Sequence, residues 1–384
     1  MTIKTSQRVL QVPKSAIHEM TRLSKEIDDV AFLSWAKPTS GTPEHIGKAA
    51  IDAIEAGRTG GYSEPAGLVE LREAITKKLK EINRIEADPA DIIVTVGAIE
   101  GLAAAVLAVV DPGDEVIIPV PGYSTHIHQV IMASGTPVTV PTQEEKGFGL
   151  DVQRIRDAVN ERTQAILFSD PNNPTGSVYS REELDAVAEI ARENDLLVIT
   201  DEAYEYFTFD GREHLSISSL PGMKERTISA FTFTKTYAMT GWRIGYIHAP
   251  KEVLSQIKKA HIPLAICAPV VSQYAALAAL RQSQACVAGF REHYRSMRDL
   301  MCARLDRLDR VFDYQTPRGS YLMFPRIKTE EGKDSLAFAK RLLREAHVST
   351  TPGVAFGSES HVRMSFCVPE ETINQAFDRM ERYF

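Results

Sequence analysis

The middle of the chain alternates short apolar runs with stretches of helical periodicity. The apolar runs predict strands, namely DIIVTV (91–96), DEVIIPV (114–120), TPVTVPT (136–142), QAILFSD (164–170), LLVITDEAY (196–204), RTISAFTF (226–233) and RIGYIHA (243–249). The periodic stretches between them predict helices over Glu100–Val110, Asp151–Asn160, Arg181–Asn194 and Lys251–Ala260. Strands separated by helices indicate an α/β fold, in which helices cover both faces of a mostly parallel sheet.

The pattern changes towards the end of the chain. From about Ser283 a long charged helix, FREHYRSMRDLMCARLDRLDR, leads into a mixed α+β tail. The N-terminal segment has no predicted partner of its own, so we expect it to pack against that tail. The predicted organisation is an N-terminal segment at 1–45, a large domain at 46–284 and a small domain at 285–384, so that both chain ends contribute to the small domain.

Composition narrows the range of functions. The 384 residues carry a formal net charge of −7, which gives no basic footprint for nucleic acid or for an anionic membrane. No apolar run reaches the length of a membrane span, and the N-terminal segment lacks the apolar core of a signal peptide. The four cysteines are scattered without metal-like spacing, which favours a reducing, cytoplasmic setting and no metal site.

The stretch TFTKTYAMTGWRIGY (232–246) places Lys235 at the predicted junction of a strand and a turn. An arbitrary lysine is usually a solvated surface charge. At such a junction, however, burial would lower its pKa and make the amine a nucleophile.

Three other motifs decide between these interpretations. They are SDPNNPTG with Asn173 in a proline-rich turn, the strand end at Asp201 followed by Tyr204, and the glycine-flanked Arg243. With Lys235 they supply an amine for a Schiff base, a carboxylate for a ring nitrogen, donors for a phenolic oxygen, and hydroxyls with an arginine for a phosphate. These are the groups that hold pyridoxal phosphate.

The chain resembles the fold-type I, class I aminotransferases of the aspartate/aromatic aminotransferase family. The resemblance extends from SQRVLQVPKSAI through GGYSEPAGLVELREAI, SDPNNPTG, DEAY and TKTYAMTGWRIG to TPGVAFG and VRMSF. It implies pyridoxal 5'-phosphate as cofactor, an amino acid and a 2-oxo acid as substrates, a ping-pong mechanism, and a homodimer with shared active sites.

The resemblance also implies roles for individual residues. Lys235 would form the Schiff base, Asp201 would pair with the protonated pyridine nitrogen, and Asn173 and Tyr204 would hold the 3'-oxygen. Arg363 would bind the substrate α-carboxylate. The phosphate would be bound by Thr232, Thr234, Arg243 and the backbone of Ala98 and Ile99. Tyr123 would stack on the cofactor ring, and Ala36 would lie beside the substrate. Tyr62 would bind the phosphate of the neighbouring subunit.

For several residues the sequence is also compatible with a purely structural role. Tyr123 is also compatible with a core aromatic, and Thr232 with a residue that fits a strand. We expect the pair His126 and His128 to pack or face solvent, and Tyr321 either to line the pocket or to pack.

The sequence departs from the family at two places. Ala36 and Lys37 stand where the family usually has Gly-Glu, which narrows the approach of substrate and reverses a charge. Glu100 stands where related enzymes often carry Lys or Gln, and no position clearly supplies a second substrate-binding arginine. The preference for dicarboxylates is therefore open.

Other functions are compatible with parts of this pattern. The same fold carries lyases, ring-forming synthases and oxygen-using enzymes, and the departures at 36, 37 and 100 keep these open. A pyridoxal-binding regulator would need a DNA-binding module ahead of the fold, and none fits before Thr42. A dinucleotide-binding dehydrogenase is disfavoured because no G-x-G-x-x-G follows a strand.

Overall fold

The computed structural model describes residues 4–384. Its strands are β1 (Ala31–Phe32), β2 (Ile92–Thr95), β3 (Glu115–Val120), β4 (Thr136–Pro141), β5 (Thr163–Ser169), β6 (Leu197–Asp201), β7 (Thr227–Thr232), β8 (Gly245–His248), β9 (Phe312–Asp313), β10 (Leu322–Met323), β11 (Arg326–Ile327), β12 (Val348–Ser349), β13 (Thr351–Pro352) and β14 (Val362–Ser365).

The α-helices of the described chain include short single turns as well as long elements. They are α1 (Gln7–Leu10), α2 (Ala16–Ser24), α3 (Glu44–Glu55), α4 (Val69–Lys78), α5 (Gly97–Val109), α6 (Ser124–Met132), α7 (Val152–Ala158), α8 (Arg181–Glu193), α9 (Phe233–Thr236), α10 (Lys251–Ala265), α11 (Val270–Arg281), α12 (Ala285–Leu305), α13 (Ser335–Ala346) and α14 (Glu370–Tyr383).

Each predicted strand of the middle region takes part in one sheet of order β2-β8-β7-β6-β5-β3-β4. Strands β4, β3, β5, β6 and β7 are parallel, whereas β8 is antiparallel to both of its neighbours. The predicted α/β fold with a mostly parallel sheet is therefore confirmed. No helix in residues 4–384 combines the length and the apolar character that a membrane span requires.

Alternation along the strands explains why both faces of the sheet are covered. On β5, Leu167 packs with α5 and α10 on one face, while its neighbours Ile166 and Phe168 pack with α7 and α8 on the other. Successive side chains of a strand point to opposite faces. Because apolar residues occupy both sets of positions, each face needs a layer of helices.

The two chain ends meet in a separate α+β layer. Strand β1 pairs in parallel with β12, and β10, β14 and β13 form a small antiparallel sheet. In the N-terminal segment, Met20 of α2 packs against Ala339 and Leu343 of α13. The N-terminal segment thus contacts the C-terminal one, as expected, while the domain boundaries themselves stay a prediction.

Candidate active site

The predicted site residues converge on one cavity of about 550 Å³ at the edge of the large sheet. The residues that line it include Ala36, Ala98, Ile99, Tyr123, Asn173, Asp201, Tyr204, Thr232, Thr234, Lys235, Arg243 and Arg363. Asp201 ends β6 and Thr232 ends β7, so the cavity lies at the carboxyl ends of the parallel strands. In open α/β sheets this is the edge at which ligands bind.

Lys235 lies in the short helix α9, which follows β7 directly. Thr232 caps this helix, because its hydroxyl accepts a hydrogen bond from the Thr234 amide at 3.2 Å. The Lys235 ammonium donates to the Ala36 carbonyl at 2.9 Å and lies within 6 Å of the rings of Tyr204 and Tyr321. Burial lowers the pKa of Lys235 to about 8. The side chain is therefore not an ordinary surface lysine.

Asp201 is buried at the end of β6 and accepts a hydrogen bond from the Ala203 amide at 3.2 Å. Its other carboxylate oxygen lies 3.3 Å from Nε2 of His126, and the His126 ring packs edge-on against Tyr123. His126 is 1% exposed. The expectation that His126 packs or faces solvent thus missed its contact with Asp201.

Arg363 of β14 reaches into the cavity from the C-terminal part of the chain. Its guanidinium donates to the Ser34 carbonyl at 2.9 Å and to Oδ1 of Asn173 at 3.2 Å, and it lies over the Phe356 ring. The buried Nε–H has no hydrogen-bond partner among the described residues. Burial lowers the pKa of Arg363. An anionic ligand would restore the solvation that this guanidinium loses on burial.

Tyr204 lies beside Arg363 and Lys235 on the same side of the cavity. Burial raises the pKa of its phenol, so the hydroxyl stays protonated and can donate a hydrogen bond. Tyr321 is fully buried, packs edge-on against Tyr204 at 5.0 Å and donates to the Ala36 carbonyl at 3.1 Å. Of the two expectations for Tyr321, the structure supports packing.

The cavity lining also includes several groups that bind anions. Thr232, Thr234 and Arg243 line the cavity together with the first turn of α5, where Ala98 and Ile99 lie. Free amides at the start of a helix attract anions. A β-carbon at Gly97 would lie 2.6 Å from the Arg243 guanidinium, so only glycine lets the arginine lie this close to the helix start.

Tyr62 does not reach the cavity of its own chain. Its side chain is 82% exposed. Two residues that the sequence analysis did not predict, Leu102 and Thr125, line the cavity, whereas Tyr62 does not. Its expected role concerned the neighbouring subunit, and it stays a prediction.

Glu100 has a structural explanation. One carboxylate oxygen accepts a hydrogen bond from the Val96 amide at 3.0 Å, and the other lies 2.9 Å from Nδ1 of His261. Glu100 therefore stabilises the start of α5, where a negative charge also favours the helix dipole. Helix α5 consequently begins at Gly97, three residues before its predicted start. The residues of this turn that line the cavity are Ala98 and Ile99.

Comparison with known proteins agrees with this geometry. The profile of the family described as Aminotransferase class I and II matches residues 29–380. An aspartate aminotransferase of Pyrococcus abyssi is 41% identical, with 98% of this chain and 97% of the relative covered. An aromatic-amino-acid aminotransferase of Thermococcus litoralis is 38% identical over the same shares.

Solved structures show the same relationship. A single mutant of Thermus thermophilus aspartate aminotransferase superimposes with a TM-score of 0.95 at 36% identity, and the match covers 100% of both chains. A structure of N-succinyldiaminopimelate aminotransferase from Mycobacterium tuberculosis superimposes with a TM-score of 0.94 at 34% identity and covers 99% of this chain and 100% of the other. The chain belongs to the class I and II aminotransferases, a family of pyridoxal-phosphate-dependent enzymes that transfer amino groups.

Proposed function

We propose that this protein moves an amino group between an L-amino acid and a 2-oxo acid by a ping-pong mechanism, with pyridoxal 5'-phosphate held in the cavity described above. The observation that carries the proposal is the position of Lys235. A half-buried amine with a lowered pKa lies among a carboxylate, a phenol and two arginines, all within one cavity.

The donor set fits the cofactor. Thr232, Thr234, Arg243 and the start of α5 would bind the phosphate, and Gly97 leaves the room that Arg243 needs. Asp201 would hold the pyridine nitrogen, with His126 orienting its carboxylate. Asn173 and Tyr204 would hold the phenolic oxygen, and Tyr123 would lie against the ring. When bound, the cofactor supplies the electron sink that allows a proton to leave the substrate Cα.

Lys235 is the group that moves this proton. Burial lowers the pKa of its amine to about 8, so a larger fraction of the amine is neutral at pH 7 than for an ordinary lysine. A general base works best when its pKa lies near the working pH. The bond to the Ala36 carbonyl holds Nζ at the cavity wall.

Arg363 would bind the substrate α-carboxylate, since a guanidinium pairs with a carboxylate through two parallel hydrogen bonds. Its contacts with Ser34 and Asn173 fix its plane before substrate arrives. The amino group of the substrate would then lie towards Lys235.

A homodimer with composite sites completes the proposal. Tyr62 is a large aromatic side chain that is left exposed on the loop after α3, and Ile51 and Ile54 of α3 are exposed as well. An apolar surface of this kind favours association with a second copy. The cysteines of the chain are free thiols, which favours the cytoplasm as its compartment.

A half-reaction assay tests the reaction type. The cofactor-loaded enzyme is mixed with single amino acids, and both the absorbance of the cofactor and the oxo acid formed are measured. We expect one oxo acid per active site, with nitrogen retained on the cofactor until a second oxo acid is added. Release of ammonia or consumption of oxygen would instead identify a lyase or an oxidase on the same fold.

A further inference from the structure

A histidine with a buried side chain lies between two buried carboxylates. His214 belongs to the loop between β6 and β7, and its side chain is 6% exposed. Its Nε2 lies 2.8 Å from Oε2 of Glu202, and its Nδ1 lies 3.5 Å from Oδ2 of Asp170. None of these three residues lines the active-site cavity. The proposed reaction so far gives them no role.

The three side chains form a charged cluster. Burial alone would lower the pKa of His214, but its contacts with the two carboxylates outweigh burial and raise the pKa to about 10. Burial also opposes the charge of Glu202, yet the hydrogen bond with His214 lowers the pKa of this carboxyl group. Burial raises the pKa of Asp170, so its charge depends most on the cation beside it. His214 is therefore an imidazolium at neutral pH.

The remaining contacts of the two carboxylates show why the cation matters. Oε1 of Glu202 accepts hydrogen bonds from the hydroxyls of Thr200 at 2.8 Å and Ser216 at 2.9 Å. Oδ2 of Asp170 is buried and accepts no hydrogen bond from residues 4–384, so the imidazolium at 3.5 Å is the group that stabilises its charge. Without His214, two like charges would share a buried site, and one carboxylate would have to move or take up a proton.

The cluster is joined to the proposed catalytic groups through the backbone. Strands β5 and β6 are neighbours in the sheet, and Asp170 and Glu202 are the first residues after them. The Asp170 amide donates to the Asp201 carbonyl at 3.1 Å. Asn173, three residues after Asp170, lines the cavity together with Asp201. His214 thus connects the two chain segments that carry Asn173 and Asp201.

We propose that His214 is a positioning residue for the reaction. By binding Asp170 and Glu202, its side chain fixes the chain just beyond β5 and β6. The Asp201 carboxylate and the turn that carries Asn173 are thereby held where they would contact the cofactor ring. The inference rests on the proposed function, because it takes the roles of Asp201 and Asn173 from it. His214 acts through its neighbours and not on the substrate, since it does not line the cavity.

The test compares the cofactor-loaded wild type with three variants. His214→Gln removes the cation, and Asp170→Asn removes one of the two charges that the cation binds while it keeps the shape of the side chain. His293→Gln is the matched control, because His293 is an exposed histidine of α12 that does not line the cavity. Two readouts are taken below the melting temperature of every variant. They are kcat and KM for one amino donor, and the absorbance of the bound cofactor against pH without substrate.

We expect His214→Gln to lower kcat by about tenfold to a hundredfold, the cost of a misplaced catalytic group, with a much smaller change in KM. The pH midpoint of the cofactor absorbance should rise. A protonated ring nitrogen lowers the basicity of the groups conjugated with it, and a displaced Asp201 holds that proton less well. A histidine that only stabilised the fold would lower the melting temperature and leave kcat and the midpoint unchanged.

Asp170→Asn separates position from charge. The loss of a negative charge would by itself move the midpoint to lower pH, whereas a displaced Asp201 moves it to higher pH. We expect a higher midpoint and a severalfold lower kcat. Because this variant keeps the pair of His214 and Glu202, it decides the question even if His214→Gln does not fold.

A wild-type kcat and midpoint in either folded variant would overturn the assignment of His214. A lower midpoint in Asp170→Asn, or an equal effect of His293→Gln, would overturn it as well. Failure of the wild type to transaminate any donor would refute the proposed function instead, and the absorbance titration would still report on His214.

Discussion

Replacing Lys235, whose side chain is half-buried, should stabilise the protein while it abolishes activity. In the unfolded chain the lysine has its ordinary pKa of 10.5, and in the fold burial lowers the pKa of Lys235 to about 8. Since one pKa unit corresponds to about 1.4 kcal/mol, the charged lysine destabilises the cofactor-free fold by at most about 3 kcal/mol at neutral pH. Lys235→Met removes this term and loses one hydrogen bond to Ala36, worth about 1 kcal/mol. The expected net gain in the free energy of unfolding is about 2 kcal/mol.

The stability difference between the mutant and the wild type should depend on pH. Between pH 8 and 10.5 the unfolded lysine binds more protons than the folded one, so the stability of the wild type rises with pH through this range. The contribution from Lys235 therefore falls to about 1 kcal/mol at pH 9.5, and the stability advantage of the mutant should shrink accordingly. Urea unfolding of the cofactor-free proteins at pH 7 and pH 9.5, at one protein concentration, measures it, with the exposed Lys258→Met as control. A mutant no more stable than wild type at pH 7, or an advantage that does not change with pH, would refute the reasoning.

Three further predictions concern the loaded enzyme. Borohydride reduction should fix the cofactor covalently to Lys235, and peptide mapping that placed the adduct on another lysine would overturn the site. Asp201→Asn should keep the fold and bind cofactor but lower kcat by orders of magnitude, because a neutral amide cannot hold the ring nitrogen protonated; a loss of less than about tenfold, ~1.4 kcal/mol of barrier, would contradict its role. Mixing Lys235→Ala with Tyr62→Phe subunits should restore activity above that of either parent, because one site of each hybrid dimer is then wild-type; verified hybrids without recovery, or an active monomer, would exclude shared sites.

The large sheet could be predicted from the sequence because its central strands are buried on both faces. Continuous apolar runs such as QAILFSD predict the sheet, and the positions of Asp201 and Lys235 at strand ends indicate where the site residues lie. The start of α5 was placed too late, since Gly97 has a positive φ of 73° and reads as a turn residue. The cap that Glu100 provides to Val96 lies one helical turn away and could have indicated the earlier start.

Contacts between distant segments were harder to predict. His126 lies 75 residues from Asp201, and no local pattern separates a histidine that meets a buried carboxylate from one that packs or faces water. One feature of the sequence could have indicated that His126 lies near the site. It follows Tyr123 by three residues, in the first turn of the helix after β3. Tyr321 shows the same limit, because its contact with the Ala36 carbonyl spans 285 residues.

The site depends on both chain ends as well as on the sheet. Asn173, Asp201 and Lys235 are positioned by neighbouring strands of one sheet, whereas Ala36 and Arg363 come from the α+β layer formed by the two ends. The Ala36 and Ser34 carbonyls accept hydrogen bonds from Lys235 and Arg363 respectively, and Arg363 donates to Asn173. Polar contacts join the two layers at the catalytic amine and at the proposed carboxylate site, in addition to ion pairs elsewhere such as that of Asp210 with Arg298. Any change that separates the layers removes the partner of Lys235 and releases the plane of Arg363 together, so the two functions should be lost together and not one at a time.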